Sequence, residues 1–153
     1  MHVLLINGSP HEKGCTYTAL SLVAGELNAA GITTEILNVG TKPVGGCIGC
    51  GGCAKGNGCV FGGVVNEAIE KARTADAFVF GTPVHYASAS GNMTSFLDRL
   101  AYAGGKYLAY KPAAICCSAR RAGTTTTLDQ LVKYPQFFHM PLVNGSYWAM
   151  VHG

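Results

Sequence analysis

Short unbroken apolar runs alternate with helical stripes along almost the whole chain, and that alternation leaves few folds open. Residues 3–6 form the first run, four apolar side chains in a row, as a strand buried on both faces requires. From Thr16 onward, Leu20, Val23, Ala24 and Leu27 fall at spacings 0, 3, 4 and 7, one face of a helix that Gly31 closes. Residues 33–39 read as a second strand, and Val65, Ala68, Ile69 and Ala72 line a second helix before the strand 77–80. Met93, Phe96, Leu97, Leu100 and Ala101 give the clearest helical stripe; the strand 113–117, a helix over 124–134 and a fifth strand at 140–144 follow. Strands that alternate with helices pair in parallel through right-handed crossovers. The pattern therefore predicts one α/β domain over 1–153, a doubly wound, five-stranded, flavodoxin-like parallel sheet in the order 2-1-3-4-5.

Two features depart from that regular plan. Residues 40–63 form a long connection with no periodicity, and loops of that length usually have a function. The sequence also ends near where a fifth helix is expected, the helix that shares a sheet face with the first. An apolar face would be left uncovered unless a partner subunit or further residues lay on it.

Composition narrows the function. Hydrophobic residues make up 48% and charged residues 12%, against roughly 25% charged in an ordinary soluble domain. So few charges point to surface buried against another subunit, a homodimer or homotetramer. A net charge of +3 with scattered basic residues argues against nucleic acid or a membrane surface as partner. No run approaches the roughly 18 apolar residues of a membrane span, and Met1-His2 leads into the first strand without a secretory pattern. Four of the seven cysteines crowd into 47–59, which suits a thiolate cluster in a reducing cytoplasm better than a disulfide framework.

Three loops at the carboxyl ends of strands carry the candidate binding chemistry. In the first, from Asn7 to Thr18, Gly8 and Gly14 let the backbone wrap and Ser9, Thr16 and Thr18 offer hydroxyls at the head of a helix. A helix N-terminus is an anion site. The loop has neither Gly-Lys-Ser/Thr nor Gly-x-Gly-x-x-Gly, and strand two ends on Asn38 where a ribose-binding enzyme carries an acid. Hydroxyl donors at the first switch point suit the phosphate monoester of FMN, although ordinary turn and N-cap chemistry would use the same residues. The second loop, Thr82-Pro83-Val84-His85-Tyr86 with Ser88 to Asn92, faces the same crevice. Pro83 stiffens it, Tyr86 can lie against a flavin ring, and its backbone amides can serve N5 and O4. The third, Ser118 to Thr125, contains Arg120 and Arg121. One arginine could oppose the charge of reduced flavin at N1–O2 and the other meet the phosphates of NADPH. A solvated surface arginine is the plainer reading of either.

Cys47, Cys50, Cys53 and Cys59 can wrap around one centre. All-thiolate ligation selects an iron–sulfur cluster or zinc. The short gaps favour a [4Fe–4S] cluster, since a structural zinc site usually pairs two knuckles far apart in sequence. Free cysteines that only shape the loop are the third reading. Cys116 and Cys117 lie in a strand, where cysteine acts as a small hydrophobe. Cys15 fills the first loop, and Phe137, Phe138, Tyr147 and Trp148 read as core or interface aromatics.

Gly8-Ser9-Pro10, the cysteine run, Pro83-Val84-x-Tyr86 and Arg120-Arg121 occur in the order found in the NADPH-dependent FMN reductase family, and the chain most resembles its iron–sulfur flavoprotein branch. The resemblance spans nearly the whole chain, with His11, Cys15 and Gly62-Gly63 as departures from the usual residues. It implies FMN held by Ser9, Pro10, Gly14, Thr16, Tyr17 and Thr18, by Pro83, Val84, His85, Tyr86, Ser90 and Gly91, and by Ser118, Arg120, Arg121 and Gly123. It also implies a metal centre on Cys47, Cys50, Cys53 and Cys59. The expected activity is an FMN-dependent oxidoreductase that passes electrons from NAD(P)H, or from a reduced iron–sulfur partner, to a flavin, a quinone or a protein. The alternative is a non-enzymatic carrier that takes electrons from ferredoxin. No side chain is expected to act as acid or base.

Overall fold

The computed structural model describes residues 1–153, and its sheet is built as the alternation predicts. In chain order the elements are β1 (His2–Asn7), α1 (Cys15–Ala29), β2 (Thr33–Asn38), α2 (Val64–Thr74), β3 (Ala77–His85), β4 (Ser88–Ala89), α3 (Gly91–Gly104), β5 (Ala113–Ala119), α4 (Thr124–Phe137) and β6 (Met150–His152). The strands run β2-β1-β3-β5-β6, all parallel, with β4 folded back antiparallel on the end of β3. Setting that short hairpin arm aside, this is the flavodoxin-like 2-1-3-4-5 order. No helix is long and apolar enough to cross a membrane.

α1 ends where Gly31 allows it. The Gly31 amide donates to the Asn28 carbonyl and the Ile32 amide to that of Leu27, with Gly31 at φ 77°, a left-handed cap that closes the last turn.

The two faces of the sheet are covered unequally. α2, α3 and α4 bury one face in a 23-residue apolar cluster that includes Leu4, Ile6, Phe78, Phe80, Phe96 and Leu131. On the other face α1 alone covers Val3, Leu5, Val79 and Cys116 with Leu20 and Ala24. An apolar groove remains beside it, lined by Val23, Leu27, Ala77, Ala114 and Val143 among others.

One strand lies elsewhere than expected. Residues 140–144 make only a bridge, Leu142 with Ala113, in which the Val143 amide donates to the Ala113 carbonyl and Ala113 donates to Pro141. Pro141 has no amide to give, and Asn144-Gly145-Ser146 is turn chemistry, so the chain leaves the edge there. It returns as Met150–His152, which completes the parallel edge against Cys117, Ser118 and Ala119. Phe137, Tyr147 and Trp148 are exposed, while Phe138 packs partly against the core.

Candidate functional site

Parallel strands all end on one edge, so the loops after β1, β3 and β5 are neighbours, and hydrogen bonds tie them into one crevice. The Gly8 amide donates to the Gly81 carbonyl at 2.8 Å. The Ser90 hydroxyl donates to the Gly8 carbonyl at 2.7 Å, and the Ser90 amide donates to Thr82 Oγ1 at 3.1 Å. Thr16 Oγ1 lies 2.7 Å from Ser118 Oγ. Gly40, after β2, sits so close to the carbonyls of Gly8 and Ser9 that a Cβ there would collide with backbone.

The head of α1 is open to an anion. No side chain caps its first turn and no acid lies in it. Its leading amides are therefore available, with the positive end of the helix behind them. Ser9 is buried and its Oγ accepts from the His11 amide at 3.1 Å, which leaves its own proton for an acceptor in the crevice. Thr16 and Ser118 share one proton between two hydroxyl oxygens, so a second proton is free there. Thr18 behaves differently: it is exposed and turns its hydroxyl back to the Gly14 carbonyl at 3.3 Å.

The β3–β4 hairpin holds Tyr86 out in solvent. Tyr86 and Ala87 form a two-residue turn with φ 52° and 59°, the left-handed geometry that normally selects Asn-Gly. Three contacts from α4 and its approach hold that strain. Gln130 Oε1 accepts from the Ser88 hydroxyl at 2.8 Å and the Ala89 amide at 2.9 Å. The Thr126 hydroxyl donates to the Ala87 carbonyl at 3.0 Å, and Gly123, at φ 101°, approaches Ala87 too closely for any side chain. His85, Arg120 and Arg121 are exposed on this rim, whereas Pro83 and Val84 are partly buried.

The cysteine loop forms a second site. Cys47, Cys50, Cys53 and Cys59 line one cavity of about 250 Å³ together with Val60, Phe61, Arg99 and Tyr102. The four cysteines share that lining, but no three of them gather as ligands of a single ion. Four thiolates are a donor set that either an iron–sulfur cluster or zinc would take. Three polar side chains give the loop its shape. Asn92 Nδ2 donates to the carbonyls of Gly40 and Lys42, and its Oδ1 accepts from the Val44 amide. Asn66 brackets Cys59, accepting from its amide at 2.7 Å and donating to its carbonyl at 3.0 Å. Arg99 reaches across from α3 to Cys59, Gly45 and Gly62. Cys116 and Cys117 take no part, because burial pushes their thiols up to about 12 and about 11 and keeps them neutral.

Gln130, Thr126, Asn66 and Arg99 did not stand out in the sequence, and Asn92 did so only as the end of the second crevice loop, not as a tie to the cysteines. Asn92 and Asn66 lie in first helical turns, where polar residues are common. Only Arg99, three residues after Phe96 and one before Leu100, carried a signal, because a long cation beside a core stripe needs a partner.

A flavodoxin-like sheet whose switch-point loops converge on an uncapped helix head defines the class: a flavodoxin-like α/β protein. More narrowly, the chain belongs to the NADPH-dependent FMN reductase family, whose sequence profile matches residues 1–153, and so to a family of FMN-binding oxidoreductases. It is 33% identical over 99 residues to an iron-sulfur flavoprotein of Archaeoglobus fulgidus, a match covering 65% of this chain and 48% of that protein. It is 30% identical over 99 residues to an iron-sulfur flavoprotein of Methanocaldococcus jannaschii, covering 65% and 51%. The matched stretch is thus about half the length of these relatives. Among solved structures, an apo NADH:FMN oxidoreductase superposes with a TM-score of 0.72 at 19% identity, covering 97% of this chain and 75% of that one. A flavodoxin from the domain Archaea superposes with a TM-score of 0.68 at 11% identity, covering 99% and 85%. At those identities the likeness is one of fold.

Proposed function

We propose that the chain passes electrons from NAD(P)H, or from a reduced iron–sulfur partner, through FMN in the crevice to a flavin, a quinone or a protein acceptor. The observation that carries this reading is the convergence of three loops on the uncapped head of α1. Bound FMN supplies the chemistry, accepting a hydride at N5 and giving electrons up singly or in pairs. The protein's share is placement. Ser9, the Thr16–Ser118 pair and the first amides of α1 would hold the phosphate, with Gly14, Tyr17 and Pro10 shaping the loop around it. Pro83 to Tyr86, with Ser90 and Gly91 beneath, would flank the ring. Gly123 sets the hairpin height, and Arg120 or Arg121 would answer negative charge on the reduced ring or the phosphates of a nicotinamide donor.

The four-thiol cavity favours a second version, an iron–sulfur flavoprotein that carries electrons without a small substrate, as the names of its relatives suggest. α3 connects the two sites. Ser90 caps it at the crevice and Arg99 reaches the cysteines from it, nine residues on, or about 13 Å along the axis. Turnover separates the versions. FMN-loaded protein that oxidises NADPH or NADH in the steady state is a reductase. Protein that ignores both nucleotides but is reduced by ferredoxin is a carrier. Protein that does neither, and holds no FMN, would overturn the reading. The open groove beside α1 supports a homodimer or homotetramer, and light scattering on the FMN-loaded chain should give a mass above the monomer's.

A further inference from the structure

Arg99 is a cation in an unusual place. It lies on α3, is 6% exposed, and no carboxylate comes within 4.0 Å of its guanidinium. A buried charge without a counter-ion is costly, and arginine cannot shed its proton to escape the cost. Its partners are instead the Sγ of Cys59, to which Nε donates at 3.2 Å, and the carbonyls of Gly45 and Gly62 at 3.3 and 3.0 Å. The Phe61 ring lies 5.4 Å away and shields it from solvent. A neutral thiol is a weak acceptor, and two carbonyls do not balance a full charge. A metal-bound thiolate would supply both the strong acceptor and the negative charge that this position lacks.

We propose that Arg99 is the positioning residue and built-in counter-charge of the cysteine centre. It fixes Cys59 through its Nε, joins the two ends of the loop at Gly45 and Gly62, and raises the reduction potential of whatever iron–sulfur centre the thiols hold. This rests on the cluster reading of the proposed function. The direction follows from electrostatics. A centre ligated by four thiolates is negative and becomes more so when it takes up an electron, so a fixed positive charge and a hydrogen bond at one sulfur favour the reduced state.

The test is a dithionite titration followed by electron paramagnetic resonance, on protein purified anaerobically and reconstituted with ferrous iron and sulfide. Each centre takes one electron from dithionite on full reduction, and half the centres are reduced at the midpoint. Arg99→Gln should lower the midpoint by a tenfold shift in the reduction equilibrium or more, which is about 59 mV for a one-electron couple. The FMN midpoint in the same sample should stay in place, and Arg99→Lys, which keeps charge without the planar fork, should fall between. If Arg99→Gln keeps its FMN but loses iron, Arg99→Lys decides, and iron retained in the lysine variant supports the charge role. An unchanged midpoint in Arg99→Gln, or loss of iron from both variants alike, would overturn the proposal and leave Arg99 a structural tie. Iron-free wild-type protein would instead overturn the cluster reading, and this inference with it.

Discussion

The crevice lies at the head of α3 and the cysteine loop runs beside the same helix, and the two are built in opposite ways. The crevice is assembled by backbone. Strand ends fix three loops, glycines at 40 and 123 let chains touch, and the few side-chain bonds run between groups the sheet already places side by side. The cysteine loop has almost no secondary structure beyond one short 3₁₀ turn, Gly52–Lys55, and most of it is exposed. Its shape comes from Asn92, Asn66 and Arg99 reaching in from helices. A site made by topology tolerates change in its side chains but not in its charge. A site made by polar ties should fail locally when the Asn66 or Arg99 tie is cut, without disturbing the crevice.

The largest effect expected is on charge in the crevice. Ser9→Asp would place a carboxylate against the α1 head, where an FMN phosphate would sit. At a separation near 4 Å and an effective dielectric of about 20, repulsion of that kind approaches 4 kcal/mol, so a loss in FMN affinity of about 100-fold or more is expected. Titration of apoprotein by flavin fluorescence measures it, and iron content should not follow. Affinity equal to that of a control at the exposed Ser146, Ser146→Asp, would remove the phosphate from this loop.

Asn66→Ala tests the other site. Removing the bracket around Cys59 leaves its amide and carbonyl without partners in a half-buried place, at a cost of about 1–3 kcal/mol. Anaerobic protein should lose most of its iron and be cut by protease within 40–63, yet bind FMN as before. If FMN affinity fell in parallel, the two sites would not be separately built.

How far each site could be read in advance follows the same division. The crevice was legible because its determinants are local. The apolar run 3–6, the stripe from Leu20 to Leu27 and Gly8-Ser9-Pro10 between them specify strand, loop and helix head without any distant residue. The cysteines announced themselves by type and spacing, but the side chains that arrange them sit up to 54 residues from their partners, as Arg99 does from Gly45. No short-range pattern encodes such a tie. The fifth strand was misplaced for a related reason. Edge pairing at Ala113 ends at Val143, and only contact with Cys117 brings 150–152 back to the sheet.

The smallest effect sharpens the account of the hairpin. Ala87 holds φ 59° without the freedom of glycine, at a strain of about 1 kcal/mol. Ala87→Gly should therefore raise stability by about 1 kcal/mol in urea unfolding and shift the midpoint alone. FMN affinity should fall slightly as the Tyr86 arm loosens. A destabilised variant would mean that the Ala87 methyl makes packing contacts worth more than the strain.

The central claim is that one helix joins two independent centres, flavin at its head and a thiolate cluster further along. Flavin and iron analysis of the same anaerobically purified samples tests it most directly, with wild-type protein and Cys59→Ser compared. The account predicts about one FMN and about four iron atoms per wild-type chain, the number in a [4Fe–4S] centre. It predicts unchanged FMN with most of the iron gone in Cys59→Ser. Wild-type protein with full FMN and no iron, or a Cys59→Ser protein that loses flavin and iron together, would contradict it.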